Sequence, residues 1–156
     1  MATWITITVG ALRETKASAL IDAFESAALG AGQADPVPAT IIKVCDRIRA
    51  EIQSSKKYQV SATPHSIPPS LVELAGNLIA WRMQGRLNVM NAMPVTDQDK
   101  IDHAEDRAYL QRIADGKVTI EVPDDPESVP EVQSGGLIET VQEGNSGNSR
   151  EELKRL

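Results

Sequence analysis

Between Val37 and Ile52 the residues Val37, Ile41, Val44, Cys45, Ile48 and Ile52 recur at steps of three and four. That spacing puts all six on one face of an α-helix. An apolar face of that length demands a second apolar surface, so whatever this chain folds into must pack around it. Lys43, Asp46, Arg47 and Arg49 are expected on the opposite, solvated side. Asp35-Pro36 supplies the start, an acid that accepts from free N–H groups and a proline that fits the first turn.

Three further helices are predicted around it. From about Ala11 to Leu29 the chain is rich in alanine and leucine, with Phe24 on the same periodicity, and Gly30-Ala-Gly32 ends the run. After a polar loop with prolines, Ser70 with Glu73 fits a capping box. Leu71, Leu74, Ala75, Leu78, Ile79, Arg82 and Met83 continue as a helix that Gly85–Asn88 and Pro94 are expected to stop. Thr96 with Asp97 and Asp99 opens the last helix, its acids well placed against the helix dipole. Ile101, Ala104, Ala108, Leu110 and Ile113 are its expected buried side, and Gly116 is its C-cap. The fold class that follows is all-α: an antiparallel helical bundle of about four helices. Residues 3–9, TWITITV, form a short extended N-terminal arm, and Lys117–Val122 leaves the last helix as an extended run.

Only five residues are aromatic, Trp4, Phe24, Tyr58, Trp81 and Tyr109. The core must therefore be aliphatic, which suits helix packing better than an aromatic-lined ligand pocket. No apolar run reaches the ~18–20 residues of a membrane span. The N-terminus lacks the basic start and apolar centre of a signal peptide, and Cys45 is the only cysteine, so the expected setting is cytosolic with no disulfide framework.

Charge divides the chain. Residues 1–120 carry 13 acidic and 13 basic side chains. From residue 121 onward nine acids (Glu121, Asp124, Asp125, Glu127, Glu131, Glu139, Glu143, Glu151 and Glu152) face only Arg150, Lys154 and Arg155. The net charge of −6 therefore belongs entirely to the C-terminal part. Two domains are predicted on this basis: a helical body, 1–120, and an acidic extended tail, 121–156. A tail with so little apolar content is expected to stay unfolded until a partner orders it. A neutral body argues against nucleic acid as the main ligand, since phosphate neutralisation needs clustered Lys and Arg.

The chain offers little chemistry. His65 and His103 are 38 residues apart, on a loop and a helix, and read as ordinary exposed histidines. Asp97, Asp99, Asp102, Glu105 and Asp106 lack the glycine and distal glutamate of a calcium loop, and helix-start acids explain most of them. Cys45 falls on the apolar stripe with no base beside it, so it reads as a structural thiol. No glycine pattern makes a phosphate loop. Neither a catalytic residue nor a metal or cofactor site is predicted, and the chain is read as no enzyme.

Lys43, Arg47, Arg49, Lys56 and Lys57, with Arg82 and Arg86, form the one basic concentration. A solvated helix face is the first reading. Contact with an acidic neighbour, such as the tail of an adjacent copy, is the second, and DNA the third. Trp4 and Trp81 are core or rim residues by default, but tryptophan outside a core stripe also anchors interfaces.

Two segments resemble a known family. Ile67–Arg82, IPPSLVELAGNLIAWR, resembles the proline-then-amphipathic-helix segment of small tailed-phage head–tail connector proteins, including the adaptors of Mu-like phages. Ala108–Ile120, AYLQRIADGKVTI, resembles the closing helix of the same family, where Leu-x-x-Ile-Ala-x-Gly-Lys precedes a β-type tail. The Trp4-Ile-Thr-Ile-Thr start, the first helix and the Ile41–Ile52 helix fit the same order, so the likeness spans roughly residues 36–120 in arrangement.

The resemblance implies a structural virion protein at the head–tail interface, made in the bacterial host cytoplasm. It implies a homo-oligomeric ring, commonly twelvefold, between the portal protein and a tail-side stopper or tail-completion protein. Such a ring extends the DNA channel, and genomic DNA passes through it without sequence-specific binding. The expected contact residues are Trp4, Arg47, Lys56, Lys57, Trp81, Lys117, Val118, Ile120, Val122, Leu137 and Ile138. In that reading Lys117–Val122 pairs with a neighbour's strand by β-augmentation. The alternative is a DNA-binding or DNA-packaging accessory helical protein using Lys43, Arg47, Lys56 and Lys57.

Overall fold

A computed structural model describes residues 2–14, 18–30, 34–89 and 94–128. The described chain is mostly helical. In order it runs β1 (Ile5–Thr6), α1 (Val9–Arg13), α2 (Ser18–Gly30), α3 (Val37–Ser54), β2 (Ser66–Ile67), a short 3₁₀ turn at Pro69–Leu71, α4 (Val72–Val89) and α5 (Asp97–Ala114). Antiparallel β1 and β2 pair Ile5 with Ile67 and Thr6 with Ser66.

The α3 stripe is buried as its spacing predicts: Val37, Val44, Cys45, Ile48 and Ile52 are at most 1% exposed and Ile41 only 5%. Asp35 Oδ1 accepts from the Val37 N–H at 2.8 Å, so the acid caps the helix from one residue before Pro36. Leu71, Leu74, Ala75, Leu78, Ile79, Met83 and Leu87 line the facing side, with Ile21 and Phe24 from α2.

The long helices run up, down and up. Gln84 Nε2 donates to Asp99 Oδ2 at 3.1 Å, and Asn77 bonds Asp106, so α4 and α5 are antiparallel. Lys57 Nζ, just beyond α3, donates to the Gly116 carbonyl at 3.2 Å, just beyond α5, while Arg47 and Arg107 line one cleft. α3 and α5 therefore run side by side in the same direction.

Four expectations about helix ends, continuity and the buried side of α5 are corrected. The predicted helix from Ala11 to Leu29 is two pieces. Residues 13 and 25 of one straight helix would stand about 18 Å apart. Here Arg13 Nη2 lies 2.5 Å from Glu25 Oε2, so α1 packs beside α2 rather than continuing into it. Thr8 sets the early start by accepting from the Ala11 N–H. The Ser70–Glu73 capping box does not form: Ser70 lies inside the 3₁₀ turn rather than ahead of the helix, and its hydroxyl donates to Glu121. α4 runs through Gly85 to Val89. A glycine costs a helix only about 1 kcal/mol relative to alanine, and burial of Met83 and Leu87 on either side outweighs that.

The fourth correction concerns α5. Leu110 and Ile113 are buried, but Ile101 is 53% exposed, and Ala104 and Ala108 are exposed as well. The ends of α5 match the sequence. Thr96 and Asp99 form the reciprocal capping box. Gly116 sits at φ +69°, where its N–H bonds to Ile113 and the Lys117 N–H to Arg112, closing a Schellman turn.

Residues 121–128, predicted to open the tail, are tied to the body. The Ala2 N–H bonds to Val122 and the Asp124 N–H to Ala2. The Ala62 N–H bonds to Asp125 and the Glu127 N–H to Val60. Asp125 also takes the Ser61 and Thr63 hydroxyls, both at 2.7 Å, and these donors hold its carboxyl below the usual range. The predicted border at residue 120 thus falls inside the body. Residues 129–156 lie outside the described ones.

Arg49 is the other long-range tie, and it is not on the solvated side expected for it. Its guanidinium donates to the carbonyls of Ser61, Thr63 and Ser66 at 2.8, 3.2 and 3.0 Å, and lies 5.9 Å from the Trp4 ring centroid. Arg49→Ala strands three carbonyls at once and should cost about 2–3 kcal/mol in urea unfolding. Arg49→Lys should recover only part, because an ammonium cannot reproduce the planar fork. Full stability in Arg49→Ala would show the clamp to be idle.

Candidate functional site: two flanks of α5 and a C-terminal groove

α5 crosses the surface with its buried side resting on α4, where the His103 and Trp81 rings stack. Their centroids are 4.3 Å apart and their planes 9° from parallel. Each residue turns about 100° round a helix, so the residues on either side of this stack open onto different flanks.

On the flank toward α3, Val44, Leu78 and Leu110 floor a cleft of about 210 Å³ rimmed by Arg47, Arg82 and Arg107, one arginine from each long helix. Among the described residues Arg82 and Arg107 have no ion pair, and Arg47 has only Glu51, at 3.8 Å. On the far flank Asp99, Asp102, Glu105 and Asp106 border a hollow of about 310 Å³ with Asn77 and Gln84. Asp99, Asp102 and Asp106 are spaced three and four apart, one stripe of the helix.

The two flanks differ in what stabilises their charges. Asp99 is held below the usual carboxylate range, first by the Thr96 hydroxyl and backbone N–H, then by Gln84. Asp106 is pushed above it, first by burial, with Asp102 and Glu105 adding repulsion against the opposing bond from Asn77. His103 is lowered, first by burial, then by Arg107 and Arg47, against the pull of Asp106. Its Nδ1 is buried with no hydrogen-bond partner among the described residues. It is therefore not the ordinary exposed histidine expected from sequence. His65 is a loop residue at φ +59° whose Nδ1 lies 2.7 Å from Asp46.

A third concavity lies where the described chain ends. Gln53, Lys56, Lys57, Tyr58, Gln59, Val60, Val122, Glu127 and Ser128 line an open groove of about 780 Å³. Lys57 Nζ lies 5.2 Å from the Tyr58 ring centroid. The groove joins three of the expected contact residues, Lys56, Lys57 and Val122.

The other expected contact residues are scattered. Arg47 and Trp81 meet at the arginine cleft. Trp4 is 5% exposed with Nε1 donating to the Glu121 carbonyl, so it is interior packing of this chain. Lys117 is exposed beside Asp115 at 2.8 Å, Val118 packs on the core, and Ile120 is 4% exposed. Residues 117–122 form no strand, and the Val122 carbonyl is already taken by Ala2, which leaves this run poorly suited to β-augmentation. Leu137 and Ile138 lie outside the described residues.

Sequence reasoning missed the pairing of the flanks. The three arginines come from three helices, and no spacing links them. The acid stripe was readable as Asp99, Asp102 and Asp106, but helix-start acids hid it. Among the described residues no group of three or more His, Cys, Asp or Glu is arranged to hold a metal. The arrangement is one of charge and shape, suited to binding.

A histidine whose folded pKa is lowered leaves the unfolded chain the better proton binder, so folding stability rises with pH across the window. His103 should therefore subtract stability as the pH falls below 6.5, its ordinary value, and stop doing so below its folded value. Urea unfolding from about pH 7 down to 5 should show a smaller loss in His103→Gln than in the native chain. Equal slopes would remove His103 as the cause.

Comparison of the chain with known protein families, with curated proteins and with solved structures yields no match.

Proposed function

We propose that this chain is a structural head–tail connector: a protomer that assembles as a ring between portal and tail-side stopper in a tailed-phage virion and extends the DNA channel. The proposed architecture is an antiparallel helical body joined to an extended acidic arm. The likeness of Ile67–Arg82 and Ala108–Ile120 to connector segments supports it, as does a surface built for binding.

One observation carries the reading furthest. The N-terminal arm and residues 121–128 are laid together against the body, and Ser128 lines the open groove with Lys56 and Lys57. The described chain thus ends at the rim of a groove, and the sequence after it carries Glu131, Glu139, Glu143, Glu151 and Glu152. A body with a charged arm rooted at a docking surface is suited to joining neighbours, with the arm ordering on its partner.

A duplex-binding accessory has less behind it. The three arginines stand across one helix from Asp99, Asp102, Glu105 and Asp106. Affinity for phosphate backbones needs clustered cations without such compensation.

The test is native mass spectrometry of the chain with a portal protein, comparing full length with a chain ending at Ser128. That end point keeps Asp125 on Ser61 and Thr63, so the body stays intact. The full-length chain should join the portal and the shortened one should lose that incorporation. Equal incorporation would remove the arm from the mechanism, and no incorporation by either would remove the connector reading.

A further inference from the structure

The exposed side of α5 carries an anomaly. Ile101, Ala104 and Ala108 repeat at three and four, the spacing of a core stripe, yet all three face solvent. On one side of that stripe lie Asp102 and Glu105, on the other Arg107 with Arg47 and Arg82 across the cleft. Among the described residues Glu105 has no ion pair, and the Asp102 carboxylate takes only the Gln98 amide at 2.6 Å. Both flanks thus hold charge left unmatched among the described residues.

We propose that α5 is the seam between copies of this chain: the Asp102–Glu105 flank of one copy docks against the Arg47–Arg82–Arg107 cleft of the next, with the Ile101–Ala104–Ala108 ridge covered between them. The occupant follows from charge. An all-acidic ligand would meet repulsion one helix face away from the cleft, and an all-basic one the reverse. A second copy offers both signs in the required order.

The symmetry follows too. The two complementary surfaces lie on different flanks of one helix, so the contact is head-to-tail rather than a patch meeting itself. Contacts of that type propagate, and close into a ring when the rotation per copy allows. Alanines at Ala104 and Ala108 let a neighbouring backbone approach closely, and Ile101 supplies the apolar weight. This inference rests on the connector reading for its purpose, but not for its test.

The experiment uses the full-length chain alone, without portal, in native mass spectrometry and sedimentation over a range of concentration. The native chain should assemble. Asp102→Arg with Glu105→Arg should weaken assembly about tenfold or more, and so should Arg82→Glu with Arg107→Glu. Asp102, Glu105 and Arg107 are exposed and Arg82 is half-buried, and circular dichroism verifies that helix content is kept.

Mixing the two double variants in equal amounts should restore assembly, because each reversed flank then meets a reversed cleft and each native flank a native cleft. Restored assemblies should contain the two variants in alternation. A native chain that stays monomeric overturns the seam, as do variants that assemble normally or a mixture that fails to recover. Portal capture of the same variants is scored separately. Capture retained without self-assembly sinks this inference and leaves the connector reading standing. Self-assembly without capture does the reverse.

Discussion

The buried face of α3 is the constraint on which the other elements depend. α2, α4, α5 and β2 all pack on this helix, while α1 packs on α2 and β1 pairs with β2. Each fully buried aliphatic side chain contributes roughly 1.5–3 kcal/mol relative to exposure, so a face that buries Ile41, Val44, Ile48 and Ile52 dominates the core. Its polar side matters as well. Arg49 reaches from α3 to the carbonyls of the Ser61–Ser66 loop, and that loop in turn holds Asp125. One helix thus governs both the apolar centre and the place where the two ends of the described chain meet.

What was legible in the sequence was what periodicity and capping encode. The α3 stripe, the Thr96 cap and the Gly116 turn are local patterns, fixed within one or two helical turns, and the structure follows them. α5 shows where that reasoning stops. Ile101, Ala104 and Ala108 and the pair Leu110 and Ile113 are both apolar sets at helical spacing, on different sides of one helix. Periodicity finds such sets but does not say which one the body covers. The answer came from the stack of His103 on Trp81, a contact between residues far apart in sequence.

Polar ties escaped for a related reason. Ser61, Thr63 and Asp125 read as loop residues because serine, threonine and aspartate favour turns. Their mutual bonds span more than sixty positions. The same holds for charge. A body with equal numbers of acids and bases reads as electrically plain, yet equal numbers say nothing of placement. Beside α5, Arg47, Arg82 and Arg107 line one cleft and Asp99, Asp102, Glu105 and Asp106 another, so a neutral body presents a polarised surface.

Cys45 carries a consequence of its own. It is fully buried against the α3 neighbours, and burial, with Asp46 close by, pushes its thiol up to about 11. Only a thiolate reacts readily, and only an accessible one. At neutral pH the sulfur is therefore protected twice, by proton and by packing, for as long as the centre of the molecule stays closed. The chain has a single cysteine, and it sits on the helix that organises the core. It is a built-in clock: the pace at which a thiol reagent finds Cys45 is the pace at which the interior opens.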